Sequence, residues 1–393
     1  MDSCDVTICG AGISGLLLAS ELSKSLSVIV LEKAAREECS NKFWLTRKKC
    51  VDLNPELRDC VDSEWEEIEF ISNSRERFCA VGSYTLWNTK RLESKLLRQI
   101  AQNGSAVHYK HRFYSYKYVD DAIESYANAR AFRSHLLIDC MGYASPIVHS
   151  SNSVDILGYY HLYGQVTKLT SAINPVALDN VILSGRPSYL EIFPRSDGKA
   201  NVVLIAPAKT TQSIEQLQTD FEFIIDGSHY ADRFARSVDD EMLYGIVPIG
   251  IPKRLSLDRI LFFGEAAQLH PASSCTCLDR LLMSYKRVSQ SVANTISARA
   301  LSAKDIAKCA PYKATFSDRF HRNMYQEMAA WRSEHLPAFI ELLRCTDPAS
   351  LEDFIFGDAD FDRVKQLKGA WKVMQKRNFL WVRPLMRSIF SAI

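Results

Sequence analysis

Three glycines and one acidic residue near the start of the chain have the spacing of a nucleotide-binding turn. Gly10, Gly12 and Gly15 follow a short apolar run, and Glu32 ends the next apolar run. In a strand–turn–helix unit, the first glycine allows a tight turn, the second lets the backbone approach a pyrophosphate, and the third lets the helix pack closely on the strand. The N–H groups at the start of that helix attract the same anion, and the Glu32 carboxylate can accept both ribose hydroxyls. This pattern predicts a dinucleotide site; the alternative is a glycine-rich turn in an ordinary α/β unit.

The sequence on both sides of this turn predicts the strands and the helix that would position it. Residues 5–9 predict a strand, residues 16–24 a helix, and residues 26–31 a second strand. A strand, a helix and a further strand in this order form a βαβ unit, so the sequence predicts an α/β domain built on a parallel sheet.

Two later segments show the same pattern, in which an apolar strand runs into a turn that contains a glycine. The strand 135–139 runs into Asp139-Cys-Met-Gly142-Tyr-Ala-Ser145, where Gly142 permits close backbone approach and the polar side chains can bond backbone or ligand. An ordinary exit turn is the alternative there. The strand 258–263 runs into Gly264 and then His270-Pro271.

The spacing of apolar residues and of turn residues divides the rest of the chain into predicted elements and domains. Helices are predicted at 88–103, 214–225 and 278–301, an antiparallel crossover at 107–118 and 126–132, and strands at 159–169, 181–183, 188–193 and 200–205. We therefore predict a nucleotide domain in two pieces, 1–150 and 256–301, a β-rich substrate domain at 151–255 and a helical region at 302–393. Residues 36–63 are charged and irregular, and we interpret Trp44 and Arg47 as surface-loop residues; contact with a cofactor is the alternative.

Composition limits the class of protein. The 393 residues are 47% hydrophobic and 24% charged with a net charge of +2, which argues against bulk nucleic-acid binding. No apolar run reaches the length of a membrane span, and the first strand begins within five residues of Met1, so we expect a cytoplasmic protein without a leader peptide. Eleven scattered cysteines predict free thiols. Cys275 and Cys277 lack further ligands at a suitable spacing, and no metal site is expected.

The end of the chain is basic and aromatic. After Asp362 there is no acidic residue, while eight lysines and arginines alternate with aromatic and aliphatic residues. Such a segment can lie on an anionic membrane surface, or it can pack on the body of the protein with its basic side in water.

Four stretches together resemble the FAD-dependent family that contains lycopene cyclases and geranylgeranyl reductases and is related to flavin monooxygenases and halogenases. They are Gly10-Ala-Gly12-Ile-Ser-Gly15 with Glu32, Asp139-Cys-Met-Gly142-x-x-Ser145-Pro146, Gly245-Ile-Val-Pro248, and Gly264-Glu-Ala-Ala267-x-x-His270-Pro271. The resemblance covers roughly residues 1–300. It implies a Rossmann-like FAD-binding domain of the glutathione-reductase/hydroxylase type, an antiparallel-sheet substrate domain and a helical C-terminal region.

The resemblance also implies residue roles. FAD would contact Gly10, Gly12, Ile13, Ser14, Gly15, Glu32, Lys33, Asp139, Gly142, Gly264, Glu265, Ala266 and Pro271. Glu191, in a segment that resembles the acidic motif near the cyclase substrate, and His270 are the candidate catalytic residues. For Glu191 the alternative is a solvent-facing strand residue, and for His270 it is a turn residue that caps the next helix.

Two departures from the family pattern stand near the predicted ring site. Glu265 replaces the usual aspartate, and residues 272–278 contain none of the usual glycines. Each added Cβ fills space where backbone would approach the flavin, so we expect the flavin to sit differently or to bind weakly.

Three kinds of function follow from this resemblance. The first is FAD-dependent redox chemistry on a hydrophobic substrate, such as hydride transfer, desaturation or oxygen insertion. The second is a non-redox cyclisation with reduced FAD, in which Glu191 protonates a polyene. The third is a flavoprotein without turnover. No second GxGxxG occurs, so NAD(P)H, if it is the reductant, would dock transiently.

Overall fold

The computed structural model describes residues 2–36, 43–72, 75–183, 186–227, 230–235, 241–311, 316–330, 340, 343–344 and 346–358. The basic segment after Asp362 lies outside these residues, and so do the two alternatives given for it, contact with a membrane surface and packing on the body of the protein. Among the helices described, none is both long and apolar enough to span a bilayer.

The strands and helices have the following bounds. The strands are β1 Asp2–Cys9, β2 Val28–Leu31, β3 Trp44–Arg47, β4 Val61–Ile71, β5 Arg77–Trp87, β6 Ala106–His108, β7 Phe113–Val119, β8 Ala122–Ala127, β9 Arg130–Asp139, β10 Val154–Leu169, β11 Val176–Leu183, β12 Arg186–Pro194, β13 Lys199–Ala208, β14 Phe234–Ala235, β15 Glu241–Pro252, β16 Ser256–Leu257 and β17 Ile260–Phe262. The helices are α1 Ile13–Leu22, α2 Lys49–Leu53, α3 Thr89–Gln102, α4 Pro146–Ser151, α5 Ile214–Gly227, α6 Cys277–Ser297, α7 Ala303–Ala307, α8 Phe316–Ala330 and α9 Pro348–Phe356.

The first sheet is the predicted nucleotide-binding layer. Its strands lie in the order β16-β17-β9-β1-β2-β6, and the pairs β1–β2, β1–β9, β9–β17 and β2–β6 are parallel. The antiparallel hairpin β7–β8 joins β9, as predicted for the crossover. The strands of this first sheet share one apolar core with the helices α1, α3 and α6. This arrangement confirms the α/β fold class.

The second sheet is mainly antiparallel. Its path is β14-β10-β13-β12-β11-β4-β5-β3, and β15 also pairs with β10. One face packs against α5, and the other packs against α8 and α9. Strands β3, β4 and β5 come from residues 44–87, so this sheet draws on the chain before residue 151 as well as after it.

The prediction of an irregular, exposed stretch at 36–63 is wrong for the part that the structure describes. Trp44 and Arg47 lie in β3, which pairs with β5, and α2 follows directly. Arg47 is only 3% exposed, because it pairs with carboxylates from distant parts of the chain. The charged residues of this stretch therefore include a member of a buried ion pair as well as residues on the protein surface.

Candidate functional site

Three turns meet at the carboxyl edge of the first sheet. Cys9 and Asp139 are the last residues of β1 and β9 and are partners in the sheet register, and Phe262 of β17 pairs with Asp139 on the other side. In an open parallel sheet, ligands bind in the crevice where the strand order reverses, outside the carboxyl ends of the strands. The order β2-β1-β9 places that point between β1 and β9.

The first glycine turn is closely packed except at Gly12. A Cβ on Gly10, whose φ is +101°, would lie 2.6 Å from the carbonyl oxygen of Cys140. A Cβ on Gly15 would collide with the carbonyl oxygen of Gly10, so α1 packs against the turn. A Cβ on Gly12 would meet nothing within 4 Å. The turn therefore leaves an open approach to the backbone at Gly12, at the start of α1.

The residues beside this opening hold the turn and the start of α1. Glu32 accepts hydrogen bonds from the backbone N–H of Ala11 at 2.7 Å and of Ala34 at 2.9 Å. Each carboxylate oxygen has a further lone pair for a ligand hydroxyl. Ile13 and Ser14 begin α1, and Lys33 is exposed beside Glu32.

Asp139 shapes the second turn from inside. It is fully buried and accepts hydrogen bonds from the Ser145 hydroxyl and from the Met141 N–H, the latter at 3.0 Å. Burial raises the pKa of Asp139 to about 7, and these two hydrogen bonds oppose the rise. Its carboxylate is engaged within its own turn, so direct contact between Asp139 and a cofactor stays a prediction.

The third turn closes the crevice against the other two. A Cβ on Gly142 would lie 3.1 Å from Oε1 of Glu265, and one on Gly264 would lie 2.6 Å from the Ser14 hydroxyl. Both glycines have left-handed φ, +69° and +68°. Ala266 and Pro271 are buried behind this turn. The three motifs that sequence reasoning singled out separately thus form one site in space.

An apolar cavity of about 270 Å³ opens between this crevice and the second sheet. Its walls come from strands of the second sheet, from the turn at 273–278, and from α8 and α9. The apolar wall includes Phe43, Leu45, Phe70, Tyr189, Phe193 and Val247. Glu265 lines the cavity and also lies against Gly142 of the second turn, so the cavity and the crevice are adjacent.

Glu191 is the carboxyl group on the sheet wall of the cavity. The alternation of β12 sends Tyr189, Glu191 and Phe193 to the cavity, while Leu190 and Ile192 enter the core under α5. Burial alone raises the pKa of Glu191 to about 8. Glu191 is partly exposed and lines the cavity, and its raised pKa favours the protonated form at pH 7.

His270 lines the same cavity from the turn that follows Gly264, and the burial of its ring favours the neutral form. It is 6% exposed, and burial followed by the positive charge of Arg280 lowers its pKa to about 4, against the effect of a hydrogen bond to the backbone of Pro248. Within the described residues, its Nε2 has no hydrogen-bond partner. A neutral imidazole with one free nitrogen can accept a proton or a hydrogen bond from a ligand.

The glycine-poor turn after Pro271 keeps its shape without glycine. Cys275 adopts a left-handed φ of +57°, and its N–H donates to the Pro271 carbonyl at 2.9 Å. The side chains of Ser274 and Thr276 both donate to the carbonyl of Ile355 in α9. These contacts tie α9 to the turn and make it part of the cavity wall.

Of two further residues at this site, the sequence predicted a cofactor contact for Trp44 only as the alternative to a surface loop, and it did not single out Ser273. Trp44 lines the cavity, and so does Ser273, whose hydroxyl contacts the buried His321. The partners of both come from distant parts of the chain, so no local spacing marks them. Only the aromatic character of Trp44 and the alternative of a cofactor contact pointed in the right direction.

Comparison with known proteins agrees with this architecture. A model of the family described as "Lycopene cyclase protein" matches residues 5–183. The chloroplastic lycopene beta cyclase of an Oncidium hybrid cultivar is 22% identical over 293 residues, which are 68% of this chain and 60% of that protein. The chain thus spans about three fifths of that relative's length.

Solved structures share the whole fold at low sequence identity. A geranylgeranyl bacteriochlorophyll reductase-like protein from Thermoplasma acidophilum has a TM-score of 0.74 at 14% identity and covers 98% of this chain and 100% of its own. The halogenase PltM, as a variant in complex with FAD, has a TM-score of 0.68 at 14% identity and covers 99% and 94%. The chain has the fold of the FAD-binding flavoproteins, and its resemblance to the lycopene cyclases is confirmed over residues 5–183.

Proposed function

We propose that this chain is an FAD-dependent enzyme that converts an apolar substrate in the cavity beside Glu191. The observation that carries the proposal is a carboxyl group, with its pKa raised to about 8, in an apolar cavity adjacent to the three-turn crevice. A protonated acid that forms no ion pair with any residue the structure describes is suited to donate a proton to a substrate that has few polar groups of its own.

The crevice fits the dinucleotide part of FAD. Space is open in front of Gly12, where a pyrophosphate would approach the backbone and the start of α1. Glu32 would hold the ribose with its remaining lone pairs, and Gly142 and Glu265 would lie along the ribityl side. Ile13, Ser14, Lys33, Gly264, Ala266 and Pro271 complete the proposed contact set, while Asp139 would act through the shape of its turn.

The proposed chemistry is acid-driven isomerisation of a polyene, as in a cyclase. Reduced FAD supplies an electron-rich surface that stabilises positive charge on a bound substrate. Glu191 holds the proton that is delivered to a carbon–carbon double bond, and the aromatic wall excludes water that would trap the cation. His270, neutral and with a free Nε2, is the candidate to accept the proton that is lost when the new double bond forms.

The test is an anaerobic assay with photoreduced enzyme, a panel of isoprenoid polyenes and mass spectrometry of the products. The proposal predicts a product of unchanged mass, formed in many turnovers for each reduction of FAD. Glu191→Gln keeps the shape and the hydrogen bonding but lacks the acidic proton, so it should abolish turnover while FAD affinity stays within a few-fold. A product whose mass shifts in step with flavin oxidation would contradict the cyclase proposal.

Redox chemistry on the same class of substrate is the second candidate. The structural neighbours favour it, since a reductase-like protein and a halogenase share the fold over almost the whole chain. In that case each turnover moves two electrons, the product differs by two hydrogens or one oxygen, and Glu191→Gln only slows the reaction. NAD(P)H docking transiently is then the proposed source of electrons.

The remaining expectations stay proposals about the protein's setting. We propose an apolar small molecule as the partner, no nucleic acid, and a cytoplasmic location with peripheral membrane contact through the basic C-terminal segment. The division into a two-piece cofactor domain, a β-rich substrate domain and a C-terminal helical region is likewise proposed.

A further inference from the structure

A buried histidine fixes one hydroxyl group of the cavity wall. The Nδ1 atom of His321 lies 2.6 Å from the hydroxyl oxygen of Ser273, which lines the cavity. His321 is fully buried, and its ring stacks on Phe354 with the centroids 4.9 Å apart. The ring therefore cannot turn away from Ser273 without disturbing the packing against α9.

The environment of His321 determines which nitrogen carries its proton. Burial and the positive charge of Arg280 lower its pKa to about 3, so the ring is neutral and has a single N–H. Within the described part of the chain, Nε2 has no hydrogen-bond partner. A buried N–H without an acceptor is the rarer and costlier defect, while an unused lone pair is tolerated more often. The proton is thus placed on Nδ1, which donates to the Ser273 oxygen.

This assignment leaves the Ser273 hydroxyl hydrogen free for a further acceptor. A serine oxygen that accepts from His321 keeps its own O–H as a donor, and the structure shows no other acceptor for it among the described residues. The backbone of Ser273 is also fixed, because its carbonyl accepts a hydrogen bond of 2.9 Å from the hydroxyl of Tyr160. The donor is therefore held in place before any ligand arrives.

We propose that Ser273, positioned by His321, donates a hydrogen bond to an oxygen atom of the ligand in this cavity. The inference deepens the proposed function, since it describes the substrate as an apolar molecule that carries a hydroxyl or carbonyl oxygen rather than as a pure hydrocarbon. A carbonyl of the flavin ring presents the same chemistry, so the experiment separates the two sources.

The experiment measures ligand binding and FAD binding on three proteins: the wild type, Ser273→Ala and Ser273→Thr. The ligand probes are farnesol and farnesene, which share a C15 apolar body and differ in the hydroxyl, and their binding is followed by quenching of tryptophan fluorescence, with Trp44 in the cavity wall. FAD affinity is titrated separately by flavin absorbance. Ligand binding does not require FAD, so a protein that fails to bind FAD would overturn the proposed function without deciding this inference.

The expected result is a preference for farnesol over farnesene that falls about tenfold in Ser273→Ala and is kept in Ser273→Thr, since one hydrogen bond to a buried hydroxyl is lost and then restored. If the flavin is the acceptor, Ser273→Ala instead weakens FAD about tenfold and leaves the farnesol preference unchanged. Equal behaviour of wild type and Ser273→Ala in both titrations would overturn the proposal.

The role of His321 is tested by His321→Leu with the same readouts. Loss of the farnesol preference or of FAD affinity, parallel to Ser273→Ala, supports positioning by His321. An unchanged profile in a folded His321→Leu protein would overturn that part of the inference. If this variant does not fold, the pH profile decides instead. A preference constant from pH 5 to pH 7, below the pKa of about 8 of Glu191 in the same cavity, agrees with a histidine whose pKa is about 3, and a change near pH 6.5 contradicts it.

Discussion

The Arg47 guanidinium and the Asp279 carboxylate form a fully buried, forked ion pair that joins β3 of the second sheet to α6 of the first. The Arg47 Nε atom donates to Asp279 Oδ2 at 3.1 Å, and its backbone N–H donates to the same oxygen at 2.9 Å. Its Nη1 atom lies 2.6 Å from Asp358, just beyond α9. This cluster fixes the two sheets and the C-terminal wall of the cavity relative to one another.

Replacing Arg47 with methionine should lower the free energy of unfolding by about 3–5 kcal/mol, because the charge of Asp279 would remain buried without its partner. Urea denaturation measures this change. The double variant Arg47→Met, Asp279→Leu should recover much of the loss, since the desolvated charge is then gone. The exposed pair Lys48–Asp52 is the control, where Lys48→Met should cost at most about 0.5 kcal/mol. Equal effects of Arg47→Met and Lys48→Met would refute the role of the buried pair.

The sequence was sufficient to predict features that depend on neighbouring residues. The turns at Gly10, Asp139 and Gly264 each follow an apolar strand, and the parallel sheet then brings them to one edge. The alternation of β12 similarly predicts which side chains share a face with Glu191. Such patterns are local, so one sequence is enough to read them.

Long-range partners could not be read in this way. Arg47 has the appearance of a surface residue in a charged stretch, and its partner Asp279 is 232 positions away. The contact of Ser273 with His321 likewise depends on how α8 packs against the turn. In both cases the burial of a polar group is decided by tertiary packing, which sequence spacing does not encode.

Glu191 should make stability fall as the pH rises. Its pKa is about 8 in the folded protein and near 4.5 when exposed, so the folded state holds the proton that the unfolded chain has lost between these values. The contribution to stability is complete below about pH 4.5 and is lost as the pH rises towards 8. Between pH 5 and pH 8.5 the wild type should lose about 2–4 kcal/mol relative to Glu191→Gln. The free energy of unfolding is measured by urea denaturation at both pH values. If it changes by the same amount in the two proteins, Glu191 has an ordinary pKa.

The turn after Pro271 should be strained at Cys275. A left-handed residue other than glycine costs about 1–2 kcal/mol, and the flexibility of glycine in the unfolded chain offsets about half of that. Cys275→Gly should therefore be about 1 kcal/mol more stable than Cys275→Ala in thermal or urea unfolding.

Gln290 provides the control for this comparison, since it is exposed in the interior of α6 and has a helical backbone. There the order should reverse, with Gln290→Gly less stable than Gln290→Ala by about 1 kcal/mol. The same order at both positions would show that the left-handed conformation of Cys275 stores no strain.

The central claim is that the three-turn crevice binds FAD, and the stoichiometry and affinity of FAD for the purified protein test it most directly. Visible absorbance should show about one FAD per chain for the wild type. Gly12→Val should weaken binding at least about a hundredfold, because the side chain enters the open space in front of the turn.

Gly227→Val is the control for that measurement. Gly227 also has open space at its Cβ position, but it lies at the end of α5, away from the crevice. This variant should bind FAD like the wild type. A wild type that binds no FAD, or a folded Gly12→Val protein that binds it as tightly as Gly227→Val, would contradict the account.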